Sequence, residues 1–353
     1  MDEDRKPYAL EYLKSALSVN THVGCVLGCE YCVVDEFAPG GIGRIYSPEE
    51  AVDTLLGSTL FIPEITPITL NNRTDPLLPR VSRDTFEMVR ILNEKGIRNP
   101  RVIVSKFHLK KEGLRTLEDS CAETYFFVTY SNLPSPVERV PHRLQRESLK
   151  TLSEGIRVHP IHYWRPLIQG LNDDVQSLEE VLRDVSPVCE GSVLSGLRLD
   201  ANIAQKVVGF GGNISGWAGD TKHKYLPTEI VEKILELRDA IFSDYPLYRH
   251  TSCAICVPQG IRDYNFHFLK PSNCLPGCPN VNNCTFPDKP SCDEIDHAIS
   301  VLGLKNSWHF DGTMLRVSGS MNEEERSCIS HQLGYPIVVE NIIRAPSEEV
   351  IRR

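Results

Sequence analysis

No stretch of the 353 residues approaches the ~18 consecutive apolar residues of a membrane span, so a membrane-crossing helix is not expected. The opening MDEDRKPYALEYLK lacks the apolar centre of a signal peptide, which places the expected location in the cytoplasm. Positive charge is scarce. Lys and Arg number 38 against 47 Asp and Glu, a net charge of -9, so no overall positive field draws in a nucleic-acid backbone. Nucleic acid is therefore not the expected partner. No internal repeat is visible, and no phosphate-binding loop: Gly209, Gly211, Gly212 and Gly216 are followed by no Lys-Ser/Thr and fit no dinucleotide pattern. What the chain has in quantity is cysteine, twelve in all. A cytoplasmic chain keeps thiols reduced, so clustered cysteines point to metal rather than disulfides.

Cys25, Cys29 and Cys32 form one group; Cys253, Cys256, Cys274, Cys278, Cys284 and Cys292 form another. Cys121, Cys189 and Cys328 stand alone and read as small buried hydrophobes. From about residue 17 to 200, short apolar runs alternate with helical periods. Strands are expected over 17–22, 66–71, 101–105, 125–130, 157–168 and 192–199, and helices near 48–58, 82–95, 111–120, 143–154 and 174–185. The first helix opens on Ser47-Pro48-Glu49-Glu50, a capping serine with proline at the first helical position and glutamate three residues after the cap. Six strands alternating with helices imply parallel βαβ units, either a doubly wound sheet or an incomplete barrel. Beyond residue 200 come the glycine-rich stretch, a helix over 227–242, and a segment (250–292) rich in Cys, Pro and Asn that needs a metal to fold. The tail over 308–343 reads strand, helix (322–333), strand. The expected division is residues 1–200 and a C-terminal extension over 201–353.

The first cysteine group is C-x3-C-x2-C, Cys25-Val26-Leu27-Gly28-Cys29-Glu30-Tyr31-Cys32, just after the first strand. Three thiolates so close together can ligate three irons of a [4Fe–4S] cubane and leave the fourth open. Structural zinc wants four ligands, and the next cysteine in sequence is Cys121. The motif, including aromatic Tyr31 before the third cysteine, resembles the radical S-adenosylmethionine (SAM) superfamily, and the resemblance covers roughly residues 17–200.

That resemblance implies a partial (β/α)6 TIM-type barrel with the cluster in the loop after the first strand. It also implies SAM chelated by the open iron, a 5′-deoxyadenosyl radical that takes hydrogen from substrate, and a reducing partner such as flavodoxin or ferredoxin. Barrel chemistry sits at the C-terminal strand ends, which nominates Asn71, Arg73 and Asp75 after the second strand and Ser105 and Lys106 after the third. Ser131 follows the fourth strand, Arg165 and Asn172 the fifth, and Tyr31 completes the cofactor-binding set. The run from Pro166 to Asp173 resembles the P-x-x-x-G-x-N-D of spore-photoproduct-lyase-like members. The plainer reading of each of these residues is a helix cap or turn. His159, His162, Tyr163 and Trp164 share one strand, where alternation sends some to a substrate pocket and the rest to the outer core.

The second group fits either structural zinc or an auxiliary [4Fe–4S] cluster, the latter favoured, with Cys274, Cys278 and Cys284 as ligands and the fourth from Cys253, Cys256 or Cys292, Cys253 favoured. Cys256 or Cys253 could instead return a hydrogen atom to a substrate radical, and Cys256 is the nominated donor. The glycine-rich stretch reads as a loop over the barrel mouth. The expected activity is epimerisation or dehydrogenation of a small polar substrate, sugar- or aminoglycoside-like, because an acidic chain suits a cationic ligand. Nucleic-acid lesion repair is the alternative enzyme, and a zinc-stabilised binding module the non-enzymatic one.

Overall fold

A computed structural model describes residues 8–13, 15–36, 41–219, 224–286, 289–305 and 307–343. The chain opens with β1 (Leu10–Leu13) and β2 (Ala16–Val19), followed by the short pair β3 (His22–Val23) and β4 (Gly43–Arg44). Then α1 (Pro48–Leu56), β5 (Ile68–Leu70), α2 (Ser82–Glu94), β6 (Arg101–Ser105), α3 (Lys111–Glu118) and β7 (Thr124–Thr129) alternate. The alternation continues through α4 (His142–Leu152), β8 (Val158–Trp164), α5 (Val175–Val185) and β9 (Ser192–Leu194). All six expected strands and five expected helices of this region are present. The expected capping box is there too: the Ser47 hydroxyl accepts from the Glu50 amide while the Glu50 carboxylate accepts from the Ser47 amide.

The central sheet runs β1-β2-β5-β6-β7-β8-β9 and ends on β12 (Leu247–Tyr248). Only the β1–β2 pair is antiparallel. From β2 onward each new strand is added on the same side of the last. Right-handed crossovers then put every helix on one face, and the twisted sheet curls with its other face inward. This is the partial TIM-type barrel. Alternation along the strands separates two cores. Ile103, Phe126, Val128, Trp164 and Leu194 pack outward against the helices, while Val102, Tyr125, Phe127, Ile161, Tyr163 and Val193 point inward.

The barrel does not end at residue 200. Between β9 and β12 lie β10 (Leu197–Arg198), α6 (Ala201–Gly209), β11 (Lys224–Tyr225) and α7 (Thr228–Ile241), and β12 is the sheet's last parallel strand. Helix α8 (Thr251–Cys256) then turns inward. Its Ala254 and Ile255 pack on the inner face of the sheet. The remainder forms α9 (Cys292–Val301), β13 (Ser307–Phe310), β14 (Leu315–Asn322), α10 (Glu323–Leu333) and β15 (Ile337–Ile343). These three strands pair around β14, and α9 and α10 cover one face.

The extension closes on the opposite sheet edge. The Tyr264 hydroxyl donates to the Ser15 carbonyl at 2.8 Å, Asn265 Nδ2 donates to Ser15 Oγ at 2.9 Å, and the Tyr12 hydroxyl meets His331 Nδ1 at 2.7 Å. No helix among the described residues is long and apolar enough to cross a membrane.

Candidate active site

The loop after β2 carries Cys25, Cys29 and Cys32. The β3–β4 pair flanks it, and backbone bonds tie it to distant segments: Gly24 N–H to Arg73 O at 2.9 Å and Glu30 N–H to Val137 O at 3.0 Å. Gly28 sits at φ +64°, a conformation that a side chain disfavours. Cys29 and Tyr31 are buried among Leu133, Val137, Ile168, Leu197 and Ile203, with Ile214 and Trp217 packed alongside. Of the expected glycine loop only Gly209 is helical, as the last residue of α6; the rest is loop, and its Ile214 packs against the cysteine-loop cluster.

All three thiols line one cavity of about 360 Å³, a volume suited to a cofactor-sized ligand. It opens at the C-terminal ends of the strands, where Asn72, Arg73, Thr74 and Asp75 follow β5, Lys106 follows β6, Thr129 ends β7, and Tyr163, Arg165 and Pro166 end β8. Burial pushes the Cys25 thiol up to about 11 and Cys29 up to about 12. Bare thiolates are therefore disfavoured here, and a bound cation reverses that preference.

A buried carboxylate organises the inner wall. Glu138 is fully buried; its Oε2 accepts from the Tyr31 hydroxyl and, at 2.7 Å, from Lys106 Nζ. The Lys106 ammonium also lies 5.3 Å from the centre of the Tyr31 ring. Desolvation and the Glu138 charge hold the Tyr31 phenol well above its ordinary value. Asp75 accepts from Ser105 Oγ and the Lys106 amide, both at 2.7 Å, which fixes the β5 and β6 ends side by side. Burial raises its pKa and these hydrogen bonds oppose the rise. Arg73 is clamped by Glu11 at 2.5 and 2.6 Å.

Not every nominated cofactor contact reaches the cavity. Tyr31, Arg73, Asp75, Lys106 and Arg165 line it; Asn71, Ser105, Ser131 and Asn172 do not. Asn71 is fully buried, accepting from the Thr21 amide and donating to Thr85. Asn172 accepts from the Ile168 amide and donates to the Ser131 and Pro166 carbonyls, so it braces the turn after β8. Ser105 acts through Asp75, and Ser131 is enclosed. Both Asn residues hold backbone turns at the strand ends instead of facing the cavity. Glu138, Arg198 and Thr129 belong to the site and had no local signal.

On β8 the alternation holds. Tyr163 faces the cavity, whereas His162 and Trp164 are buried on the other side. His159 stacks on Tyr125 and pairs with Glu190, away from the mouth. Lys224 Nζ lies 3.3 Å and Arg165 Nη1 3.4 Å from the Tyr163 hydroxyl. Burial alone would raise the phenol's pKa, but Lys224 and then Arg165 outweigh it and bring it to about 6. The cavity lining carries Arg73, Lys106, Arg165 and Arg198 against Asp75. Glu11 and Glu138 balance Arg73 and Lys106, which leaves Arg165 and Arg198 as the lining cations that pair with no carboxylate among the described residues, so the overall acidity of the chain does not carry over to the cavity.

The second cysteine group gathers beneath α8. Ligand atoms of Cys253, Asp263 and His267 lie within 4.8 Å of one another. Asp263 is 1% exposed and accepts from His267 Nδ1 at 2.9 Å, the carboxylate–imidazole pairing that orients histidines at metals. Burial raises the Cys253 thiol, with Asp263, Cys256, Cys278 and Cys284 adding to the rise, so these groups share one neighbourhood. Cys274 feels Cys278 and Cys284 in turn. Cys292 is exposed at the start of α9. Asp263 and His267 were missed because neither sits in a cysteine-spaced motif. Cys256 is fully buried and lines no part of the cavity, so the nominated hydrogen donor cannot reach a substrate there. Of the isolated cysteines, Cys189 and Cys328 are buried as expected, but Cys121 is exposed.

The fold is the partial barrel of the radical SAM type, and solved structures with it are found. A double mutant of spore photoproduct lyase with bound AdoMet and dinucleoside spore photoproduct is 13% identical. The match covers 69% of this chain and 79% of that one, with a TM-score of 0.51. Spore photoproduct lyase complexed with dinucleoside spore photoproduct matches over the same shares at 14% identity and the same TM-score of 0.51. SuiB from Streptococcus suis, bound to S-adenosylmethionine, aligns over 72% of this chain and 54% of its own at 11% identity, TM-score 0.45. No family profile and no curated protein sequence matches the chain.

Proposed function

We propose that this chain is a radical SAM enzyme whose [4Fe–4S] cluster is held by Cys25, Cys29 and Cys32. The observation that carries this is the convergence of those thiols on one cavity at the C-terminal strand ends. Thr74 lines the same cavity, and its buried hydroxyl has no hydrogen-bond partner among the described residues. When bound, a cluster on Cys25, Cys29 and Cys32 with SAM beside it would supply radical hydrogen abstraction from substrate. The residues' own part is positional. Glu138 holds Tyr31 and Lys106 against the cluster loop, and Asp75 keeps the β5 and β6 ends in register. Asn72 to Asp75 and Lys106 form the wall nearest the thiols for SAM, and flavodoxin or ferredoxin is the expected electron source. Electron paramagnetic resonance of the reduced protein tests this. SAM should perturb one cluster signal in the native chain, and that SAM-sensitive signal should vanish in Cys29→Ala.

A second metal centre in the extension belongs to the same reading, with Cys253, Cys274, Cys278 and Cys284 as ligands and Asp263–His267 beside them. An iron–sulfur cluster there would supply an electron acceptor, which suits dehydrogenation of a small polar substrate better than epimerisation. No cysteine beyond the three cluster ligands lines the cavity to return hydrogen.

Lesion repair on nucleic acid is the second reading, favoured by the spore photoproduct lyase fold and the cationic cavity. Incubating the reconstituted protein with dinucleoside spore photoproduct separates the two readings: repair to thymines supports the lyase reading, and unaltered lesion alongside SAM cleavage supports the metabolite reading.

A further inference from the structure

We propose that Tyr163 is the base of the cavity, the group that takes the proton of a substrate hydroxyl once the carbon bearing it has lost hydrogen. The proposal rests on the dehydrogenation reading and adds the functional group acted on, an alcohol. Tyr163 stands near the end of β8 and lines the same cavity as the three thiols. Its hydroxyl is surrounded by donors. Lys224 Nζ of β11 lies 3.3 Å away and Arg165 Nη1, just past β8, 3.4 Å away; neither group can accept a hydrogen bond. The Thr251 side chain at the start of α8 faces the same oxygen. Thr129 of β7 and Val193 of β9 flank Tyr163 in the sheet, and the Phe127 ring meets its ring edge-on with centroids 5.8 Å apart. A neutral phenol needs an acceptor for its own proton, which Lys224 and Arg165 cannot provide, whereas a phenolate accepts from both. Burial opposes that charge, yet Lys224 and then Arg165 outweigh it and bring the phenol to about 6. A base poised near neutral pH is the strength that proton transfer in an enzyme favours. A carbon that has lost a hydrogen atom makes its hydroxyl far more acidic, so a base of this modest strength suffices. In the step itself the substrate O–H bond breaks and a Tyr163 O–H bond forms. The electron pair of the broken bond stays on the substrate oxygen, and no oxidant enters.

Labelling with methanesulfonyl fluoride tests this with no substrate needed. A phenolate displaces fluoride, the S–F bond breaking as an S–O bond forms, and peptide mass spectrometry locates the added group. Anaerobically reconstituted full-length protein is labelled across the range from about pH 5 to about pH 9, which brackets a lowered phenol and stops short of an ordinary one. Tyr163 should be modified at a rate that levels off above a midpoint of about 6. Arg165→Gln and Lys224→Gln should each raise that midpoint by about one unit, the scale of one opposite charge close by, and Lys224→Arg should keep it. Either Gln variant serves if the other folds poorly. No label on Tyr163 overturns the proposal, because an oxygen that so small a reagent misses cannot meet a substrate. A rate still rising at the alkaline end, as for an ordinary phenol with a pKa of about 10, overturns it too, as does a midpoint that neither variant moves. Label on Lys224 in place of Tyr163 makes the amine the base and has the same consequence. A native protein that labels as described but never cleaves SAM supports the base and defeats only the radical SAM reading.

Discussion

Replacing Glu138 by Ala should be among the most damaging single changes outside the cysteines. The Glu138 side chain has no solvent exposure and Lys106 has 14%, with their charged atoms 2.7 Å apart. Removing the carboxylate strands a nearly buried ammonium and leaves the Tyr31 hydroxyl without its acceptor. Breaking a buried pair from one side costs about 3–5 kcal/mol, a large share of the roughly 5–15 kcal/mol that holds a folded chain. The same pair replaced on both sides by apolar groups costs little. Glu138→Leu combined with Lys106→Met should therefore recover much of the stability, though not the SAM affinity. Anaerobic urea unfolding of the metal-loaded protein, followed by circular dichroism, measures all three. A loss under about 1 kcal/mol for Glu138→Ala, or a double variant as unstable as the single, would refute the charge-burial reasoning.

Iron analysis should find about eight irons per chain, four for each cubane, falling to about four in Cys253→Ala with partial unfolding of the extension. Four irons with one stoichiometric zinc would instead assign the second site to zinc. Gly196→Ala forces a Cβ against the Tyr225 carbonyl, and thermal melts should show a loss of about 1–3 kcal/mol. Acid should destabilise the protein through His162 and His331, both lowered to about 4 by burial. Their unfolded value is near 6.5, so the folded state prefers them neutral. Stability is full above pH 6.5 and falls as pH drops toward 4, by up to about 3 kcal/mol for each histidine. Urea midpoints at pH 7 and pH 5 check this; a midpoint that does not move would contradict it.

The barrel was legible because its signals are local. A capping box such as Ser47–Glu50 and a β-rich run such as Tyr125–Tyr130 carry their structure in a few consecutive residues, and three cysteines in eight residues carry their chemistry the same way. Residue 200 was misread as a boundary because β12 is only two residues long and takes its identity from pairing with β9. Asn71 and Asn172 show the opposite failure: polar residues at strand ends look like ligand contacts, yet their amides satisfy buried backbone. Glu138 and Lys224 could not be found along the sequence at all. Glu138 meets Tyr31 across 107 positions and Lys224 meets Tyr163 across 61. Charge followed the same pattern, since net charge averages the surface and says nothing about which sign lines a cavity.

The central claim is most directly tested by 5′-deoxyadenosine formation. Anaerobically reconstituted protein, given SAM and a low-potential reductant, should release 5′-deoxyadenosine and methionine. Cys29→Ala, still folded by circular dichroism, should release neither. Undiminished 5′-deoxyadenosine from the Cys29→Ala protein, or none from the native chain with its cluster intact, would contradict the account.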